Sequence, residues 1–257
     1  MARANRHYLP GLTWHITHRC HKREFLLKFA RDRRRWLFWL FTAKKRHGLC
    51  ILNYALTSNH IHLLVHDNNK SSVIPRSMDL IAGRSAQEFN ERKKRHGAYW
   101  EDRYHATAIE NDSHLFRCMV YIDMNMVRAG VVEHPAEWPF CGYNEILGNR
   151  RRFTLINVPA LMHLMKINSE DELKATYAEW IKNTLDHGNL WRESLWTESV
   201  AVGSQEFVKR TAAALGIRSR GKKMIDLGGT WELREKRSAY RHLFQPLNRH
   251  LRQNNQH

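Results

Sequence analysis

Apolar and polar positions divide the first half of the chain into a regular series of strand-like and helix-like runs. Residues 11–20 (GLTWHITHRC) are rich in Thr, Trp and Ile and predict a strand. Residues 29–47 carry a dense apolar run from Trp36 to Phe41 between arginines and lysines, with Gly48 as a stop, and predict a helix. Two short apolar runs, 49–56 and 60–65, flank Thr57-Ser58-Asn59 and predict a hairpin. A second basic helix is expected over 77–95, closed by Gly97, and a fourth strand over 103–110. Asn111-Asp112-Ser113 offers capping oxygens to a third helix ending at Ala129-Gly130. The order βαββαβ plus a helix predicts an α+β fold: a ferredoxin-like four-stranded antiparallel sheet with helices on one face and the other face open.

After residue 150 the pattern turns helical and irregular. Ser169-Glu170-Asp171-Glu172 is a capping box for a helix to about 186, and a shorter helix is expected over 205–215. Residues 218–223 (RSRGKK) read as a flexible basic linker and 248–257 as a frayed end. The expected organisation is a chemistry-bearing domain over 1–150 and a helical, basic accessory region over 151–257.

Charge sharpens this picture. Lys and Arg number 42 against 25 acids in 257 residues, a formal net charge of +17. The excess is spread along the chain, with 24 basic and 14 acidic side chains in 1–150 and 18 and 11 in the rest. Spread positive charge on an aromatic-rich, foldable chain points to nucleic acid rather than a membrane. No run approaches the roughly 18 apolar residues of a membrane span. Residues 1–11 lack the apolar core of a signal peptide, so a cytoplasmic protein is expected. Cys20, Cys50, Cys118 and Cys141 form no C-x-x-C pair and read as buried or idle thiols.

Two places carry candidate chemistry. On a strand, His60 and His62 of His60-Ile61-His62 share a face about 7 Å apart, while Ile61, Leu63 and Val65 face the other way. Such a pair can converge on a divalent cation, although an H-x-H alone equally suits solvated histidines. His66 has the same parity but sits about 13 Å further on, too far to join. On the third helix, Leu115, Phe116, Met119, Val120, Ile122, Met126 and Val127 form an apolar arc, and Tyr121 falls outside it with Asn125, His114, Arg117 and Arg128. Tyr121 and Asn125 are neighbours at i and i+4. A phenol, an amide, two arginines and an H-x-H strand suggest phosphoryl transfer.

Taken in order, Thr57-Ser58-Asn59, His60-Ile61-His62, Trp100-Glu101-Asp102-Arg103-Tyr104, the segment from Tyr121 to Gly130 (YIDMNMVRAG) and Pro135-Ala136-Glu137-Trp138-Pro139 with Tyr143 resemble the REP-associated tyrosine transposases. These are single-tyrosine transposases of the HUH endonuclease superfamily, and the resemblance spans about residues 5–147. Met126 departs from it, standing where many relatives have proline. The resemblance implies an HUH-type catalytic domain over 1–150 that cleaves and rejoins single-stranded DNA. Tyr121 would be the nucleophile, leaving a 5′-phosphotyrosine. His60, His62 and Asn125 would hold Mg2+ or Mn2+, and hairpin-forming repeat DNA would be the substrate.

Basic residues are expected to grip the DNA backbone: Arg31, Arg33, Arg34, Arg35, Lys44, Lys45, Arg46, Arg92, Lys93, Lys94, Arg95, Arg103, Arg117 and Arg128. Trp14, Tyr99, Trp100 and Tyr104 are candidate stacking platforms for unpaired bases. The partners expected are single-stranded DNA and DNA hairpins, with no membrane, and with monomer and homodimer both open. Two other readings stand beside the enzyme. One is a domesticated, catalytically silent hairpin-binding protein, and the other a metal-binding or hydrolytic protein in which Tyr121 is incidental.

Overall fold

The computed structural model describes residues 8–70, 72–111, 113–148, 154–188 and 193–235. The predicted cap Asp112 and the frayed end 248–257 lie outside them. The chain runs β1 (Thr13–Arg19), α1 (Ala30–His47), β2 (Cys50–Leu56), β3 (His60–His66), α2 (Val73–Lys93), β4 (His105–Ile109) and α3 (Ser113–Asp123). It continues with α4 (Asn125–Arg128), α5 (Tyr143–Leu147), α6 (Val158–Met165), α7 (Glu170–Asp186), α8 (Leu195–Glu198), β5 (Ser199–Gly203), α9 (Gln205–Leu215), β6 (Lys222–Asp226) and β7 (Trp231–Glu235).

β1 to β4 form antiparallel pairs in the order β2-β3-β1-β4, as the βαββαβ pattern requires. The sheet does not stop there. β5 adds to β4 in parallel, β7 pairs with β5 and β6 with β7, giving one seven-stranded sheet. The four-stranded sheet with a helical extension is therefore corrected: residues after 150 contribute three of the strands. Part of the expected linker, from Lys222 on, is β6.

Helix ends follow local chemistry. Gly48 closes α1 in the left-handed conformation (φ 73°), with its N–H on the Lys44 carbonyl. α2 starts at Val73, four residues before the expected Ser77, because Pro75 is tolerated in a first turn where N–H groups lack helical partners. The hydroxyl of Ser169 accepts from the Glu172 N–H at 3.1 Å while the Glu172 carboxylate accepts from Asn168 N–H at 3.0 Å, tying down the start of α7. The third helix is interrupted: Met124 (ψ 0°) separates α3 from α4.

The sheet has two unlike faces. Trp14, Ile16, Ile61, Leu63, Val65 and Ala108 are buried on one of them. Trp100 stacks on His18 of that face (centroids 4.0 Å apart) and donates to the Ala82 carbonyl of α2, which places α2, with α1 packed beside it, over the apolar side. The expected open face is not open. His15, Thr17, His62, Leu64 and Thr107 share it by register, and α3, α4 and α8 lie across it. His15 and Thr107 are fully buried and His62 is 2% exposed. No helix among the described residues is long and apolar enough to cross a membrane. All four cysteines are buried and unpaired by disulfides.

Candidate active site

β3 lies between β2 and β1, so its middle residues are enclosed from both sides. There a chain of hydrogen bonds fixes the state of His62. The Trp196 carbonyl, which can only accept, lies 2.8 Å from His15 Nδ1, so that nitrogen carries the proton. His15 Nε2 then accepts from His62 Nδ1 at 2.9 Å. The remaining nitrogen, His62 Nε2, presents a lone pair, on which the Asn125 side-chain amide donates at 2.7 Å. Burial keeps both rings neutral: desolvation lowers the His15 pKa from 6.5 to about 3 and drives that of His62 well below its usual value, with His60 adding to the latter.

His60 stands at the entry to β3, half-buried, and its state is fixed by the turn before it. Thr57 Oγ1 accepts from the backbone N–H of His60 at 3.1 Å and of Asn59 at 3.3 Å. The Asn59 amide nitrogen donates to the Arg23 carbonyl, so its oxygen faces His60 Nδ1 at 2.7 Å. His60 Nδ1 thus carries the proton, and Nε2 is again the basic nitrogen. The two imidazoles sit 5.0 Å apart between centroids.

α3 brings the phenol. The Tyr121 ring lies 5.9 Å from His62 and 6.2 Å from His15, edge-on to both, with the Trp196 ring 6.2 Å away. Arg128, one element further on, holds its guanidinium 4.2 Å over the Tyr121 ring and donates to the Tyr121 carbonyl at 2.6 Å. The expectation that Tyr121 lies on a polar side is corrected, since it is 6% exposed. A helical wheel sees only one helix, and α8, more than 70 residues further along, brings the Trp196 ring to Tyr121.

The break at Met124 has an anchor beside it. Asp123 is buried, with Oδ2 accepting from the Tyr177 hydroxyl of α7 and from the Asn53 amide of β2 at 3.2 Å. Desolvation outweighs these bonds and pushes its carboxyl up to about 7. α3 is thereby tied to the sheet on one side and to α7 on the other. Its end aims Asn125 at His62.

Among the described residues no group of three His, Cys, Asp or Glu is placed to hold a metal ion. The donors gathered here are two imidazoles and an amide, a neutral set. Both imidazoles present Nε2, the state a ligand needs, and each has its other nitrogen hydrogen-bonded, which suits a divalent cation. Turning the Asn125 amide would exchange its nitrogen for its oxygen.

The basic residues fall into two groups. Arg117 and Arg128 flank Tyr121, whereas those of α1 and α2 lie over the opposite face of the sheet. Arg31, Arg34, Lys45, Arg46, Lys93, Lys94 and Arg103 are exposed. Arg33 is buried, donates to the Lys28 carbonyl at 2.7 Å and stacks on Trp138 and Phe140, so it serves packing rather than a phosphate. Arg35 pairs with Glu88, Arg92 with Asp32 and Arg95 with Glu24, and Lys44 donates to the Thr154 carbonyl at 2.9 Å. Trp14, Tyr99 and Tyr104 are buried in the core, which corrects them as stacking platforms, and Trp100 is engaged with His18. Among the described residues the most exposed aromatic side chains are Phe25, Phe29 and Phe38.

Residues 9–125 match the family model of IS200-like transposases, a span that begins before β1 and takes in His60, His62, Tyr121 and Asn125. This segment resembles the IS200-like transposases. The matched segment thus contains every member of the cluster except Arg128 and the Trp196 carbonyl. Among solved structures, the chain is similar to a REP-associated tyrosine transposase bound to a REP hairpin, at 20% identity and a TM-score of 0.46, covering 61% of this chain and 98% of that one. It is also similar to a provisionally assigned transposase from Deinococcus radiodurans R1, at 18% identity and a TM-score of 0.32, covering 40% and 83%. No curated protein matches the chain.

His15 is the site residue that sequence reasoning missed. Its signal was available in principle, because it has the parity of Thr13 and Thr17 on a strand next to β3. Only the register, with Thr17 opposite His62, brings its ring onto that imidazole.

Proposed function

We propose that the protein is a divalent-metal-dependent single-strand DNA endonuclease and strand transferase of the REP-associated kind, acting on hairpin-forming repeat DNA through a 5′-phosphotyrosine. The observation that carries this reading is the meeting of Tyr121 and Asn125 from α3 and α4 with His62 and His60 from β3, inside the segment that matches the IS200-like transposases. Tyr121 Oη attacks the scissile phosphorus, the bond to the 3′-oxygen breaks, and the proton lost by the phenol is balanced by the one the departing 3′-hydroxyl gains. A second 3′-hydroxyl reverses the step, joins new ends and restores the phenol, with no external energy source.

Each residue has a role in that cycle. His60 and His62 through Nε2, with the Asn125 oxygen, would hold Mg2+ or Mn2+, which would supply Lewis-acid polarisation of a nonbridging phosphate oxygen. His15 and the Asn59 amide hold the two imidazoles in the required state. Arg128 sets positive charge against the ring from which negative charge flows to phosphorus. Burial of Tyr121 keeps water from hydrolysing the phosphotyrosine. The neutral donor set favours weak cation binding until the DNA phosphate adds charge.

Incubation of an end-labelled hairpin oligonucleotide with Mn2+ tests the assignment. A covalent protein–DNA adduct is expected and is lost in Tyr121→Phe. An adduct or cleavage that survives in the phenylalanine variant removes Tyr121 as nucleophile, and hairpin binding with no cleavage in the unaltered protein leaves the silent hairpin-binding reading.

A further inference from the structure

Behind Tyr121, on the side away from the imidazoles, a cavity of about 420 Å³ opens between α3 and the end of α7. That volume lies within the roughly 300–1,000 Å³ of small-ligand sites. From α3 and α4 come Arg117, Tyr121 and Arg128; from α7 come Trp180 and Asn183, with His187 just beyond its end. α7 lies outside the span of the transposase match, so this wall belongs to the rest of the chain.

The chemistry of the walls is that of a nucleotide site. Both guanidiniums are already held in place: Arg128 by the Tyr121 carbonyl and ring, Arg117 by the Thr230 hydroxyl at 2.8 Å and by the Trp196 ring at 5.7 Å. Charges oriented beforehand lose little freedom on gripping a phosphate. The Trp180 indole is half-buried, packed against Phe116 at 4.8 Å between centroids, and also lines the cavity. An indole backed by the core and open in front is a surface on which an unpaired base stacks. Asn183 and His187 are exposed at the rim and can reach a base edge. Glu193, also on the wall, accepts from the Trp196 indole N–H.

We propose that this cavity takes one nucleotide of single-stranded DNA, the neighbour of the phosphodiester attacked by Tyr121, with its base on Trp180 and its phosphate between Arg117 and Arg128. The placement rests on Tyr121 being the nucleophile. It makes the region after residue 150 part of the substrate site.

A binding measurement without chemistry tests it. The full chain is titrated, at one salt concentration, with a fluorescent oligothymidylate of about twelve nucleotides and with a blunt duplex of equal length. Asn183→Trp fills the cavity mouth from an exposed position without removing a core contact. It is expected to weaken single-strand binding about tenfold, in line with the loss of one stacked base, and to leave duplex binding unchanged. An oligonucleotide carrying 5-iodouracil is expected to cross-link to a peptide containing Trp180. Unchanged single-strand affinity in Asn183→Trp, an equal loss for the duplex, or cross-links confined to peptides outside α7 would each overturn the proposal. Since no bond is cleaved, these outcomes are independent of whether the Tyr121 adduct forms.

Discussion

The two faces of one sheet are held by different forces. Under α1 and α2, Ile61, Leu63 and Val65 are fully buried hydrocarbon, and stability there scales with apolar area removed from water. Under α3, α4 and α8, His15, His62, Asn53, Thr107 and Asp123 are equally buried but polar, and each is placed by a hydrogen bond. Area is non-directional and tolerates rearrangement, whereas a buried hydrogen bond specifies an atom's position. The chemistry sits where the positions are specified. The apolar face is the support against which they are held.

The largest expected effect is on the polar face. His62→Ala should abolish cleavage of a hairpin oligonucleotide while gel-shift affinity for it stays near that of the unaltered protein, because binding rests on distributed phosphate contacts. Joint loss of both activities in a variant with an unchanged circular-dichroism spectrum would break the division of labour between the two faces. Its neighbour Leu63, one residue along and facing the other way, should behave in the opposite manner. Leu63→Ala is expected to cost about 2–5 kcal/mol in urea unfolding, with cleavage per folded molecule little changed.

Intermediate effects sharpen the comparison. His15→Gln should lower both Mn2+ affinity, read by electron paramagnetic resonance, and cleavage rate by about 10–100-fold, as loss of a residue that orients a ligand does. The same imidazole gives a pH dependence. Its pKa is about 3 in the folded protein against 6.5 when exposed, so the unfolded chain takes up the proton first as the pH falls. Stability should therefore decline from about pH 6.5 downwards, and His15→Gln should flatten that limb in melting temperatures taken between pH 7 and pH 5. The smallest effect belongs to the outer surface of the helical layer. Glu88→Gln, which breaks the exposed pair with Arg35, should change unfolding free energy by less than about 1 kcal/mol.

The parts of this molecule legible in the sequence are those with local causes. β1 to β4 announce themselves as short strand-forming or apolar runs, and α7 by the capping box that opens with Ser169. The H-x-H strand and the Tyr121–Asn125 pair are local motifs too. What escaped depends on distant partners. β5, β6 and β7 are five residues each, and β6 is half-exposed with two lysines, so neither length nor alternation marks them. Burial of Tyr121 is decided by Trp196, and the break at Met124 lies beside an aspartate tied to Asn53 and Tyr177, with no proline or glycine to signal it. Arg33 looks like its neighbours in an arginine run, and only the fold turns it inwards onto Trp138.

The parallel seam between β4 and β5 has a consequence for any attempt to simplify the molecule. A fragment ending at residue 150 would keep the motifs that carry the family resemblance yet lose the strand that pairs with β4. The bare main-chain groups of β4 would become a template for self-association. It would also lose the carbonyl that dictates which nitrogen of His15 is protonated, leaving the imidazole relay to scramble. Minimisation should therefore proceed by trimming loops rather than by removing the residues after 150.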